Sequence, residues 1–126
     1  MKQSFERARA TLDEFLRLAA APREGTSSYS LKVAVSDGRS TEYFWVNRFS
    51  RTGDTFSGHL GNEPRLVKKY KFDERFSFRR EQIVDWTYID SKNSRMLGNF
   101  TACALLTKEP PEQAKTFMER YGLSCG

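Results

Sequence analysis

Four kinds of residue in this chain have the chemistry to do work: a single histidine, His59; two cysteines, Cys103 and Cys125; sixteen aspartates and glutamates; and a run of lysines and arginines from Arg65 to Arg80. A lone histidine has no second imidazole with which to hold a metal, and acid–base or nucleophilic work would need a partner fixed in a recognisable frame. No Gly-x-Ser-x-Gly turn is present, and residues 61–71 lack the second glycine and the helix start of a phosphate loop. His59, on the polar side of an alternating strand, therefore reads as a solvated or partner-facing residue. Glu63 and Asp85 read as carboxylates that accept backbone amide hydrogen bonds in turns. The cysteines lack zinc spacing and are too few for a disulfide framework. Cys103 reads as a small buried thiol in a strand and Cys125 as a thiol in the tail. Pairing between them stays open; in an oxidising compartment it would contribute ~3 kcal/mol. No catalytic residue, metal or cofactor is expected.

The basic run is the feature with a functional reading. Residues 65–80 hold seven positive side chains against two negative ones, a net of +5 that equals the net charge of the whole chain. Lys68, Lys69, Lys71, Arg75, Arg79 and Arg80 are the candidate binding residues, interleaved with Tyr70, Phe72, Phe76 and Phe78. Concentrated charge of one sign steers an acidic partner toward the protein. The same interleaving also suits a phosphate backbone with bases stacked on the rings, and a strand with one wet face.

Around these residues the chain reads as one domain of soluble composition, with 38% apolar, 13% aromatic and 29% charged residues. Residues 4–20 carry apolar side chains at steps of three and four, from Phe5 through Ala8, Leu12 and Phe15 to Ala19, which predicts an amphipathic helix capped by Ser4 and ended before Pro22. Tyr29, Leu31, Val33 and Val35 alternate with polar residues as in a half-buried strand. Asp37-Gly38 predicts a type I′ turn into a second strand, residues 41–49. A third strand follows Gly53-Asp54, with Phe56, Gly58 and Leu60 on one face and Ser57 and His59 on the other. Pro64 interrupts the sheet, and residues 74–78 make a fourth strand whose basic side chains face water. Residues 83–89 form a strand joined by a polar turn, residues 90–94, to a last strand running from Gly98 through Leu106. A final helix, residues 110–121, starts at Pro110-Pro111 and stops at Gly122, with Ala114, Phe117, Met118 and Tyr121 as its apolar stripe. Trp45, Asp85, Trp86 and Gly98 are the candidate structural residues: the tryptophans as core, the glycine as a point of close packing.

Four phrases in this order, Glu42-Tyr43-Phe44-Trp45-Val46, Gly58-His59-Leu60-Gly61-Asn62-Glu63-Pro64, Ile83-Val84-Asp85-Trp86-Thr87-Tyr88 and Gly98-Asn99-Phe100-Thr101, resemble the YegJ-like family of small bacterial proteins of unknown function. The resemblance covers nearly the whole chain and departs at Asp73, where such proteins tend to have glycine. It implies no activity, cofactor or catalytic residue. Because relatives often begin with an export or lipoprotein signal, it implies a periplasmic alternative to the cytoplasmic location that the chain as it stands suggests.

The fold expected is α+β: a curved antiparallel sheet of about six strands, residues 28–107, with an N-terminal and a C-terminal helix packed on it. The function expected is a non-enzymatic protein-binding module with an acidic partner, an immunity protein that plugs a toxin being the specific case. The alternative is binding of nucleic acid or another polyanion through residues 65–80.

Overall fold

The computed structural model describes residues 1–125. Three helices and six strands follow one another as α1 (Lys2–Ala20), β1 (Thr26–Ser36), β2 (Thr41–Thr52), β3 (Thr55–Leu60), β4 (Arg75–Arg79), β5 (Ile83–Asp90), β6 (Arg95–Gly98), α2 (Phe100–Leu106) and α3 (Pro111–Tyr121), with a 3-10 turn at Arg80–Gln82. The strands make an open antiparallel sheet in the order β4-β3-β2-β1-β5-β6. The chain divides into two compact units, Ser30–Val84 and the N- and C-terminal parts together, Met1–Tyr29 with the chain from Asp85 onward.

In the unit Ser30–Val84 the period of two decides the core. Leu31, Val33 and Val35 of β1, Phe44 and Val46 of β2, Phe56 and Leu60 of β3, and Phe76 and Phe78 of β4 are all buried. Leu31 lies opposite Val46 and Val33 opposite Phe44, and Phe56 opposite Phe78 with ring centroids 5.6 Å apart. Each such side chain removed from water stabilises the fold by ~1.5–3 kcal/mol. Gly58 has no side chain because Val46 fills that space. The turn after β1 differs from the expected type I′. Asp37 N–H donates to Ser40 O at 3.2 Å, so Gly38 and Arg39 are the central residues, and of the two only Gly38 has positive φ, at 91°. That is the type II′ pattern, and the Asp37 carboxylate holds it by accepting the Arg39 and Ser40 amides. β2 also runs beyond the expected Phe49, through a register shift between Asn47 and Ser50 where Arg48 has φ 46°.

In the other unit, α1 buries Ser4, Ala8, Leu12 and Phe15 along one stripe. Ser4 does not cap the helix. It lies inside the first turn and its hydroxyl donates to Met1 O at 2.6 Å. Phe15 stacks on Trp86 at 4.9 Å, and Tyr29 stacks on Tyr88 at 5.0 Å. The β5–β6 turn is held by Asp90, whose carboxylate accepts from the Lys92 amide and the Asn93 side chain.

The expected last strand from Gly98 to Leu106 is corrected. β6 stops at Gly98, and residues 100–106 are the helix α2, so Cys103 lies on a helix. Two consecutive left-handed residues, Gly98 at φ 72° and Asn99 at φ 52°, turn the chain out of the sheet. α3 starts and stops as its Pro111 and Gly122 predict, but Phe117 and Tyr121 of its expected buried stripe are exposed, while Ala114 and Met118 are half-buried. Beyond α3, Leu123 bridges Met96 in parallel, and the Cys103–Cys125 disulfide fastens the tail to α2.

Two stability predictions follow from these geometries. A Cβ at Gly98 would overlap the carbonyl and ring of Trp86 in a left-handed backbone, whereas one at Gly38 would meet nothing within 4 Å. Gly98→Ala should therefore lower the urea-derived unfolding free energy by ~2–4 kcal/mol and Gly38→Ala by ~1–2 kcal/mol. Cys103→Ser should lower it by ~3 kcal/mol in oxidising buffer, with the difference vanishing once both proteins are measured in excess reductant.

Candidate functional site

The basic residues 65–71 sit in a loop, residues 61–74, between β3 and β4, and hydrogen bonds tie that loop to the strands along its length. Its entry is a pair of bonds at Trp45: Gly61 N–H donates to Trp45 O and Trp45 N–H donates to Asn62 Oδ1, both at 2.7 Å. Next, the Glu42 carboxylate accepts three consecutive amides, Arg65 at 3.1 Å, Leu66 at 2.8 Å and Val67 at 3.0 Å. Val67 is buried, and the Tyr70 ring stacks on Phe76 at 4.6 Å. At the exit, Asp73 N–H donates to Leu60 O at 2.8 Å, Leu60 N–H donates to Glu74 O at 3.0 Å, and the Asp73 carboxylate pairs with the Arg48 guanidinium.

Asp73 has φ 66°, in the left-handed region that glycine enters without strain. Aspartate tolerates that region better than most residues, and here its side chain gains Arg48. Burial alone would raise the Glu42 carboxyl, but the Leu66, Val67 and Arg65 amides, with the Arg65 charge, outweigh it and hold the carboxyl below its ordinary value.

The six candidate binding residues are distributed over three elements. Lys68, Lys69 and Lys71 are exposed on the loop, with Lys69 Nζ 5.7 Å from the Tyr70 ring centre. Arg75 and Arg79 are exposed on β4, the last strand of the sheet order, and Arg75 donates to Ser57 Oγ at 3.1 Å. Arg80 is half-buried in the 3-10 turn. Leu66 and Phe72, on the same loop as the lysines, are 65% and 54% exposed.

His59 is half-buried on β3 rather than solvated, and its Nδ1 is a buried atom without a hydrogen-bond partner among the described residues. Its register neighbours are Asn47 and Arg75, neither of which is a carboxylate. Glu63 is exposed in the loop, and the turn contacts expected of it are made by Asn62 and Glu42 instead. Glu42 carried a sequence signal that is legible in hindsight: a carboxylate on the strand face that buries Phe44 and Val46 must find donors there.

Asp85 is fully buried in the other unit. Its carboxylate accepts from the amides of Trp86, Phe100 and Thr101 and from the Thr101 hydroxyl, at 2.7–3.1 Å. Burial raises its carboxyl above the ordinary 3.8, against the pull of those four bonds. Gly98 packs against Trp86. Trp45 is half-buried beside the Lys32 ammonium. Trp86, also half-buried, donates from its indole nitrogen to Thr11 Oγ1 at 3.0 Å and lines a cleft of about 280 Å³ with Arg7, Glu14, Tyr88 and Phe100. Among the described residues no three His, Cys, Asp or Glu side chains group as metal ligands, and no helix is long and apolar enough to cross a membrane.

The bacterial family DUF2314, described as uncharacterised proteins conserved in bacteria, matches residues 1–125. The uncharacterised protein YegJ of Escherichia coli strain K12 is 25% identical over 114 residues, a match that covers 90% of this chain and 72% of that protein. No solved structure matches.

The two carboxylates make opposite pH predictions. Glu42 binds its proton below the ordinary 4.5, so the loop order it provides should persist above that value and disappear as pH falls through its lower folded pKa. The Arg65–Val67 amide shifts should follow that transition by NMR, and Glu42→Gln should speed their hydrogen exchange ~10-fold or more, with little change in global stability. Native Asp85 holds its proton above 3.8, so the stability it contributes is greatest below 3.8 and declines as pH rises through the folded value. Asp85→Asn would turn an amide group toward amide donors. It should cost ~2–4 kcal/mol in chemical unfolding at neutral pH and flatten this part of the pH profile.

Proposed function

We propose that this chain, which belongs to the DUF2314 family of uncharacterised proteins conserved in bacteria, is a non-enzymatic module that binds an acidic protein through the loop 61–74 and the adjoining strand β4. The observation that carries this reading is the anchoring of the loop. A stretch whose only business was to keep lysines wet would not need its backbone held by Glu42, Asn62, Leu60 and the buried Val67. Holding a loop in one shape lowers the ordering cost of association. Exposed ammonium and guanidinium groups raise the association rate with a surface of negative charge. Neutralising a toxin by covering an acidic site is the specific role this chemistry suits. The Cys103–Cys125 disulfide supports an oxidising compartment, hence the periplasm, over the cytoplasm.

The test is charge reversal. Lys68→Glu, Lys69→Glu and Lys71→Glu together, measured against partners captured with the wild-type chain, should weaken binding ~10-fold or more, chiefly through a slower association rate. Equal binding by wild type and variant would remove the loop as the interface. Retention on single-stranded DNA or RNA at about 50 mM salt, falling steeply toward 200 mM, would give the site to a polyanion instead.

A further inference from the structure

On the reading that the loop 61–74 meets an acidic protein, we infer that Leu66 and Phe72 are its anchoring side chains. The partner site is then an acidic segment that also carries apolar side chains or an apolar pocket, not a surface recognised by charge alone.

Three observations carry this. The loop has apolar residues of both kinds: Val67 points inward and is buried, while Leu66 and Phe72 keep 65% and 54% of their surface in water. The inward side chain already anchors the loop, so the two outward ones are not required by its folding. Second, the backbone at the first anchor is fixed, because Leu66 N–H is bound to Glu42 at 2.8 Å and the amides on either side are bound to the same carboxylate. At the second, Asp73, directly after Phe72, is held by its amide to Leu60 and by its carboxylate to Arg48. Side chains on a held backbone lose less freedom on binding. Third, the charge falls between them. Lys68, Lys69 and Lys71 separate Leu66 from Phe72, six residues later, so the two anchors lie within about 20 Å even if the chain between them were extended. Protein interfaces place apolar and aromatic residues at the centre and lysines at the wet rim. The loop has that composition, with the rim positive, so the complementary surface has carboxylates around apolar groups.

The test uses the intact, oxidised chain against an array of synthetic peptides that vary carboxylate count and apolar content independently, with vesicles of phosphatidylcholine and phosphatidylserine in a 7:3 ratio as a second probe. Wild type should select peptides that combine carboxylates with leucine or aromatic residues. Leu66→Ala with Phe72→Ala should lose the apolar preference and at least tenfold in affinity while still favouring acidic peptides. The lysine reversal should lose the acidic preference. Both variants alter exposed positions, so their melting temperatures should match wild type.

Selection of acidic peptides irrespective of apolar content would overturn the anchoring role and leave the proposed function standing. No preference for acidic peptides would overturn both. So would binding to the vesicles with no peptide selected, which would show that the same side chains insert into an anionic lipid surface.

Discussion

A carboxylate shut away from water has to be answered by donors, and the architecture around α2 depends on how Asp85 is answered. Three backbone amides and one hydroxyl converge on it. Two of the amides, those of Phe100 and Thr101, belong to the first turn of α2, where backbone donors have no partner within the helix. A side chain from β5, fifteen residues before the helix begins, thus does the work a capping residue usually does locally, because Asn99 at the cap position makes no side-chain bond to the helix. The strand-to-helix exit, the left-handed pair Gly98 and Asn99 and the placement of Cys103 for its disulfide are all consequences of where that helix starts.

The unit Ser30–Val84 uses the same chemistry for another purpose. Glu42 gathers three successive amides, and these belong to a loop. Its carboxyl is pulled below the ordinary range while that of Asp85 is pushed above it, although both accept several amides. The difference lies in the balance, since burial is the largest influence on each. Asp85 is closed to solvent and its four bonds do not offset that penalty, whereas at half-exposed Glu42 the three amides and the Arg65 charge together outweigh it. One carboxylate therefore makes a helix start possible, and the other gives a lysine-bearing loop a single shape.

Such a loop changes the meaning of its sequence. Seven positive side chains in sixteen residues would read as a solvated face if the chain there were free. Held by Glu42 and Asn62 and by the buried Val67, the same residues present three lysines with Leu66 and Phe72 among them, while Arg75 and Arg79 continue onto β4 and Arg80 leaves the group for a half-buried position.

By itself the sequence determined whatever depends on near neighbours. Period-two alternation gave the apolar faces of β1, β3 and β4, with Leu31, Val33, Phe56 and Phe78, spacing by three and four set the buried stripe of α1, and Pro111 and Gly122 bounded α3. In β2, with aromatic residues on both faces, alternation did not choose, and the structure buries Phe44 and Val46 and leaves Trp45, expected in the core, half-buried. Tertiary structure decided what depends on residues far apart in the chain. The run after Gly98, apolar and short, has no period that separates strand from helix, and Asp85 settled it. Pairing of Cys103 with Cys125 followed from α2 being a helix and from Leu123 bridging β6. The grip of Glu42 on Arg65–Val67 spans more than twenty positions, and no local pattern encodes a bond between a strand side chain and a distant amide. Amide donors are common to every residue type, so which of them a carboxylate meets is written only in three dimensions.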